Sequence, residues 1–354
     1  PDWLLRGRFN LPANAGFLWG GFTTALDLSH PPALQYACDV VRTAVHEWGF
    51  PYLKLDFLYA GALPGRRADR GRTRAQILRA ALQALRAAAG EQAFLLGCGC
   101  PLGSALGLVD GMRIGADVDA RWTPLMLGRD IPFLRGEPDQ PGARNAIHNT
   151  LTRAFLHRRW WYNDPDCLLL RQESTLTLAE TQTLATAIAL SGGMLLLSDD
   201  LSALPHERLV LAQALLPVIG KSPQVLDWFD ALTPRRLRLD LGEGKQQWSL
   251  LALFNWQDAP QEVDFCLRDF ALDQDGEYWL REFWHGEVLR LSGGQKHSLL
   301  LPAHGLHRDP ARAHPRRQRA ALYGPGRGLA GRHVPGPGQQ HDLLPLSGGR
   351  EPQR

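Results

Sequence analysis

Disulfides, membrane spans and a strong net charge are all missing from this 354-residue chain. Its five cysteines, Cys38, Cys98, Cys100, Cys167 and Cys266, are odd in number and scattered, so they do not make a disulfide framework. That distribution fits a reducing compartment, and a cytoplasmic location is the expectation. No run of about 18 apolar residues occurs, so no membrane-spanning helix and no membrane partner is expected. A net charge of +3 is too small to argue for nucleic acid as a partner. No glycine-rich dinucleotide fingerprint follows a strand-like run. Cys98-Gly99-Cys100 lacks further ligands at zinc spacing, and a redox pair usually has two residues between its cysteines rather than one. That segment is therefore read as neither a zinc site nor a redox pair. The first residue is Pro1 rather than Met, and the chain reads as cut at its start.

What is present is an ordinary globular composition, 44% apolar and 21% charged, in a length that suggests two domains. Over residues 17–220 short apolar runs alternate with amphipathic stretches. The runs at 17–20, 51–57, 93–97, 111–116, 159–162 and 194–197 read as strands. The stretches at 31–48, 72–90, 143–157, 176–190 and 206–219 read as helices. Such alternation argues for a parallel sheet with right-handed crossovers. Polar clusters follow many different strands, which favours a (β/α)8 TIM barrel, with its chemistry at the strand ends, over a doubly wound open sheet.

From about residue 225 the helical period vanishes. Runs such as 236–241, 248–254, 262–265 and 297–301 alternate with Gly, Asp and Pro turns, as in a small antiparallel sandwich. Residues 306–354 change again, with nine Arg, seven Pro, eight Gly and no Lys. A segment of that composition is expected to bury too little to order itself, and its basic residues are not interleaved with aromatics as a nucleic-acid arm would be. Arginine, proline and glycine without lysine is also what an out-of-frame reading of a GC-rich gene yields. The expected organisation is a partial barrel over 1–222, a C-terminal β-sandwich over 223–305 and a structureless or out-of-frame tail over 306–354.

Chemistry concentrates at two strand ends about sixty residues apart, Tyr52-Leu-Lys-Leu-Asp-Phe57 and Arg113-Ile-Gly-Ala-Asp-Val118. Each sets one aspartate beside a cation. Two carboxylates from two strand ends suit retaining glycoside hydrolysis, one attacking the anomeric carbon and the other supplying and recovering a proton. Lys54 and Asp56 lie two apart and share a face, so the lysine keeps the carboxylate ionised, as a nucleophile requires. A strand-end ion pair would satisfy the same spacing. Asp117 as acid/base has to be protonated before attack, which a direct pair with Arg113 would oppose. Arg113 is therefore expected to point at the substrate or at Asp56. The small residues Cys98 and Gly99 leave room for a sugar hydroxyl, or are ordinary packing. Trp19, Trp122 and the cluster Trp160-Trp-Tyr-Asn-Asp-Pro-Asp166 put indoles and carboxylates after strands, a pairing that suits the apolar faces and polar edges of sugars, although a single Trp is more often core.

Taken in order, Leu26-Asp-Leu-Ser-His-Pro31, Tyr52-Leu-Lys-Leu-Asp-Phe57, Cys98-Gly-Cys-Pro-Leu102, Arg113-Ile-Gly-Ala-Asp117, Asn163-Asp-Pro-Asp166 and Ser191-Gly-Gly-Met-Leu-Leu-Leu-Ser-Asp-Asp200 resemble the bacterial α-galactosidases (melibiases) of glycoside hydrolase clan D, family 36-like, over roughly residues 1–305. The resemblance implies a (β/α)8 barrel with a C-terminal β-sandwich and retaining hydrolysis of terminal α-galactosides without metal or cofactor. It implies Asp56 as nucleophile, Asp117 as acid/base, Lys54 and Arg113 as sugar-binding cations, Cys98 and Gly99 as the frame for sugar hydroxyls, and Trp19 as an aromatic near the third strand; Trp122 and Asp166 are expected as further substrate contacts from their places after strands. It also implies that an N-terminal β domain and the first barrel strands, with an acidic pair that grips galactose, are absent, so that the barrel is incomplete. An exposed sheet edge then predicts aggregation or a homo-oligomer. Two other readings stand beside it: an α-N-acetylgalactosaminidase or α-galactosyl transfer enzyme, and an inactive carbohydrate-binding or structural fragment.

Overall fold

The computed structural model describes residues 2–18, 20–126, 129–130 and 137–313. A short antiparallel hairpin of β1 (Asn14–Leu18) and β2 (Gly21–Thr24) opens the fold, ahead of α1 (Pro31–Arg42). Then follow β3 (Tyr52–Leu55), α2 (Arg74–Ala89), β4 (Phe94–Gly97), α3 (Leu102–Ala105), β5 (Gly111–Arg113), a two-residue-stranded hairpin of β6 (Leu125–Met126) and β7 (Arg129–Asp130), α4 (Ala143–Arg153) and β8 (Tyr162–Asp164). The barrel region ends with β9 (Cys167–Leu168), α5 (Leu178–Leu190), β10 (Leu196–Leu197) and α6 (His206–Gln213).

Strands β3, β4, β5 and β8 pair in parallel in that order, and β9 pairs in parallel with β10. Within each of these two parallel sets, each strand neighbours the one before it, with a helix between. That order has no switch point, so it is a barrel wall and not a doubly wound sheet. Among the described residues the wall is an arc that does not close. Local chemistry explains the elements. Pro31 and Pro32 preset the backbone of the first turn of α1. Thr73 and Gln76 cap each other at the start of α2, and Thr177 and Glu180 do so for α5. Ile77, Leu78, Ala81, Leu82 and Leu85 give α2 its buried stripe.

Residues 14–18 and 21–24 correct one expectation: the run at 17–20 is not a barrel strand. Gly20, at φ +79°, supplies left-handed backbone for a tight reversal, and Phe17 and Phe22 meet edge to face on the exposed side of the hairpin. The strand expected at 159–162 falls at Tyr162–Asp164, and α6 stops at Gln213, short of the expected 219.

The C-terminal region comprises β11 (Gln224–Val225), β12 (Arg236–Leu241), β13 (Trp248–Phe254), β14 (Gln261–Phe265), β15 (Glu277–Arg281), β16 (Val288–Ser292), β17 (His297–Leu301) and β18 (Leu306–Ala313). Six of them form one antiparallel sheet in the order β11-β12-β13-β18-β15-β16, while β14 and β17 pair as a second layer. Leu250, Ala252 and Phe254 face the barrel helices, and Leu251 and Leu253 face Phe265, Leu280, Leu291 and Leu301. Both faces of β13 are covered, which is why its apolar run lacks alternation. The sandwich was expected to end at residue 305. Instead, the backbone of Leu306–Ala313 pairs with β13 on one side and β15 on the other. The two buried strands would otherwise present open edges, and backbone pairing there overrides an unpromising composition. The rest of the expected tail, 314–354, lies outside the described residues.

The two regions meet along α5, whose Thr181, Thr183 and Thr186 are fully buried. Trp284 Nε1 donates to Thr186 Oγ1, and Thr183 Oγ1 donates to the His304 carbonyl. His304 joins Glu180 of α5 (2.7 Å) to Asp258 of the β region (2.9 Å), with its ring stacked on Trp122 at 4.4 Å. Burial favours the neutral ring, but the two carboxylates outweigh it and hold His304 above its ordinary pKa. Its contribution to stability is complete below the unfolded value of about 6.5 and is lost as pH rises through the raised folded value. Burial also pushes the Glu180 carboxyl up, but its bonds to His304 and Thr177 bring it below the usual range. That contribution is present above about pH 4.3 and is lost toward more acid pH. Urea unfolding of wild type and His304→Gln is expected to show a stability gap widest near about pH 6 that shrinks by about pH 9. A gap flat across that range would mean that the charge on His304 does not hold the joint.

Among the described residues no helix is long and apolar enough to cross a membrane, and no group of three or more His, Cys, Asp or Glu is placed to hold a metal ion. All five cysteines are free.

Candidate active site

The ends of β3, β4, β5 and β8 bring most of the expected residues together. At the end of β3, Lys54 Nζ lies 3.7 Å from Asp56 Oδ2, with both side chains about 40% exposed. The next residue, Phe57, sits in the left-handed region at φ +52° and donates its N–H to Asp56 Oδ1 at 2.7 Å. A non-glycine residue there costs about 1–3 kcal/mol, and the surroundings hold it. Those surroundings are the end of β4: Leu58 N donates to Cys98 O and Tyr59 N to Gly99 O. Gly99 is itself at φ +56°, and a Cβ there would come within 3.3 Å of Phe57 Cα. Both the backbone conformation and the close approach require glycine.

Cys98 is buried, with its thiol beside the Asp56 carboxylate. Burial, and then the Asp56 carboxylate, push its thiol up to about 12, so it stays a neutral donor. Burial pushes the Asp56 carboxyl up, but the Cys98 thiol, the Phe57 amide, Lys54 and Arg113 outweigh it and leave it below the usual carboxylate range. Asp56 is thus held ionised.

Arg113 differs from expectation. Its guanidinium is buried; it donates through Nε to Asp164 (3.1 Å) and through Nη1 to Asp117 (2.9 Å), and Nη1 forms an ion pair with Asp166 Oδ2 at 2.8 Å. It is paired with Asp117 directly, because Asp117 follows four residues later in the loop that curls back over the end of β5. Burial disfavours the charged guanidinium, but Asp164 and Asp166 more than offset it and keep Arg113 protonated. Asp164 is fully buried and accepts the Asp166 N–H. Asp166, at φ +75°, accepts the amides of Val118 and Cys167. The Asp117 side chain is 72% exposed.

A cavity of about 310 Å³ opens here, lined by Lys54, Arg113, Asp117, Asp166, Cys167 and Arg171 among others. Trp122 is not in it: only 8% exposed, it belongs to the core and stacks on His304, because the joint between the two regions claims its ring. Trp19 lies outside the described residues. Sequence reasoning missed Asp164, Cys167 and Arg171. Asp164 lay within a cluster already marked by its acids and aromatics. Arg171 has no signal of its own, since its position depends on Asp199 and Ser198 far along the chain. Burial and the neighbouring Asp166 push the Cys167 thiol up to about 11.

Ionisable groups at the carboxyl rim of a parallel barrel wall, backed by a C-terminal β domain, define a broad class of barrel with acid–base chemistry at its strand ends. No family model matches the chain. Among solved structures it is similar to an α-galactosidase from Thermus thermophilus. In that protein's stachyose complex the identity is 38%, over 61% of this chain and 45% of that one, with a TM-score of 0.50. In its p-nitrophenyl α-D-galactopyranoside complex the identity is 36%, over 67% and 46%, with a TM-score of 0.52. The chain thus spans about half the length of the Thermus protein. α-Galactosidase I from Mortierella vinacea (17% identity, 84% of this chain and 74% of that one, TM-score 0.59) shares the fold. So does a GH27 β-L-arabinopyranosidase from Geobacillus stearothermophilus (14%, 90% and 68%, TM-score 0.61). The expected fold class, a (β/α)8-type barrel followed by a β domain, agrees with these neighbours.

Proposed function

We propose that this chain carries the catalytic face of a retaining glycoside hydrolase acting on terminal α-galactosides, of the family 36-like melibiase type. The observation that carries the reading is Asp56, an ionised, partly exposed carboxylate fixed at a strand end by Lys54, the Cys98 thiol and the Phe57 amide. In this reading Asp56 attacks the anomeric carbon, and Asp117 protonates the leaving oxygen and then activates water. Asp117 has to leave Arg113 when a sugar enters. Asp164 and Asp166 stay on the guanidinium, so that release leaves no buried charge unpaired. Lys54 and Asp166 would meet sugar hydroxyls, and Gly99 leaves room for them. The similarity to the Thermus α-galactosidase supports the sugar.

The test is hydrolysis of p-nitrophenyl α-D-galactopyranoside and of its 2-acetamido analogue by the folded chain, with the product anomer read by NMR before mutarotation. Release of α-galactose from the first substrate is expected. Preference for the acetamido sugar would move the assignment to an α-N-acetylgalactosaminidase, and β-galactose would overturn the retaining mechanism. A soluble, folded chain inert to both would overturn the catalytic reading.

A further inference from the structure

A second cavity, of about 530 Å³, lies in the loop between β3 and α2 and is lined by Gly65, Asp69 and the five arginines Arg66, Arg67, Arg70, Arg72 and Arg74. Among the described residues lining it, Asp69 alone is acidic, and it is engaged with Arg72 Nε at 2.6 Å. Among the described residues, Arg66, Arg70 and Arg74 have no carboxylate within 4.0 Å. Surface arginines normally point into water, and four of these could be read that way. Arg67 cannot. It is 91% buried, its Nη2 donates to the Gly61 carbonyl, and its Nε is a buried donor with no partner. Burial lowers its proton affinity and Arg74 adds to the fall, with the Asp27 carboxylate pulling the other way.

The loop is fixed by its backbone. Arg66 N donates to Arg6 O, Ala68 N to Asp27 Oδ2, Asp69 N to Ser29 Oγ and Gly71 N to Asp69 Oδ1. Gly65 is pressed against Leu5, where a Cβ would come within 2.8 Å. Immediately after it, the Thr73–Gln76 capping box starts the 16-residue helix α2, whose positive end faces the same loop. Arginines held close on a fixed loop repel one another, and a ligand with several negative oxygens would relieve that repulsion. Guanidinium forks match the oxygens of phosphate and sulfate groups in pairs.

From the buried, half-partnered Arg67 and the arginines around it, we infer that this cavity binds a tetrahedral oxyanion, a phosphate or sulfate group, at a site separate from the cavity lined by Lys54, Arg113 and Asp117. The group could be a free ion or an ester on a sugar, and the chemistry of recognition is the same.

The test uses the whole chain at constant ionic strength set with potassium chloride. Calorimetric titration with inorganic phosphate, with inorganic sulfate and with glucose 6-phosphate is expected to give saturable binding at one site. Arg66→Gln and Arg70→Gln, both at exposed positions, are each expected to weaken it about tenfold or more without altering the far-UV spectrum. Tighter binding of the ester upholds the site and assigns it an esterified ligand, whereas tighter binding of the free ions upholds it and assigns an inorganic one. Heats no greater than those of chloride, or binding equally tight in both variants, would overturn the inference.

Discussion

Replacing Arg113 by leucine is expected to lower the unfolding free energy by about 3–5 kcal/mol, the cost of removing one partner from a buried ion network. The guanidinium is the only cation within 4.0 Å of Asp164 and Asp166 among the described residues, and Asp164 is fully buried and Asp166 nearly so. Leucine fills part of the volume but leaves two negative charges in a low-dielectric interior. Asp117 contributes little to this figure, because at 72% exposure water can take over from the arginine. Arg113→Lys keeps the charge but has a single point donor where a planar fork now serves three carboxylates, so it should recover only part of the loss. Adding Asp164→Asn and Asp166→Asn to the leucine variant removes the stranded charges and should restore much of the stability. Urea unfolding of the series reads all of these. If Arg113→Leu alone costs under about 1 kcal/mol, the network is not what joins the β5 loop to the end of β8.

That network shows where sequence reading stops. Strand–helix alternation made the parallel wall legible, because buried parallel strands are short apolar runs and their crossover helices carry a 3.6-residue stripe. The polar residues closing β3, β4 and β5 were legible for the same reason: they break an apolar run. The partner of Arg113 was not. Electrostatic argument from spacing put the arginine on Asp56 or the substrate, since an acid/base residue should be free of a cation. The loop that places Asp117 four residues on folds back over Arg113, and nothing in the local sequence encodes that curl. Trp122 failed for a related reason. An indole after a strand suits either a sugar or a core, and a β region arriving some 180 residues later, with His304, decides for the core. The strand at Leu306–Ala313 was hidden by composition, since its pairing partners β13 and β15 supply the order that its own residues do not. The misses at Trp122 and at Leu306–Ala313 involve contacts far apart in the chain and the one at Arg113 a loop conformation, whereas each success was a repeating local pattern.

Replacing Asp56 by alanine is expected to cut turnover of an α-galactoside by on the order of 10⁴–10⁶-fold, the scale seen when a bond-forming member of a catalytic unit is lost. The reason lies in what surrounds the carboxylate. Lys54, the Cys98 thiol, the Phe57 amide and Arg113 together overcome the burial that would protonate it, so it is available as an anion at neutral pH. Stability should barely change while activity falls: alanine removes a partly exposed carboxylate whose pair with Lys54 is long, at 3.7 Å, and a change within about 1 kcal/mol is expected. The two readouts together separate a chemical role from a structural one, since the bland alternative, a strand-end ion pair, predicts a small effect on both. Asp56→Gly sharpens the distinction. It vacates the position from which the carboxylate would attack, and azide entering there should form the β-galactosyl azide, an inverted product that water alone cannot give. Recovery of turnover with that stereochemistry would identify Asp56 as the nucleophile. Full turnover in Asp56→Ala would transfer the role to another carboxylate, with Asp117 the first to examine, because it is the other exposed acid beside Arg113.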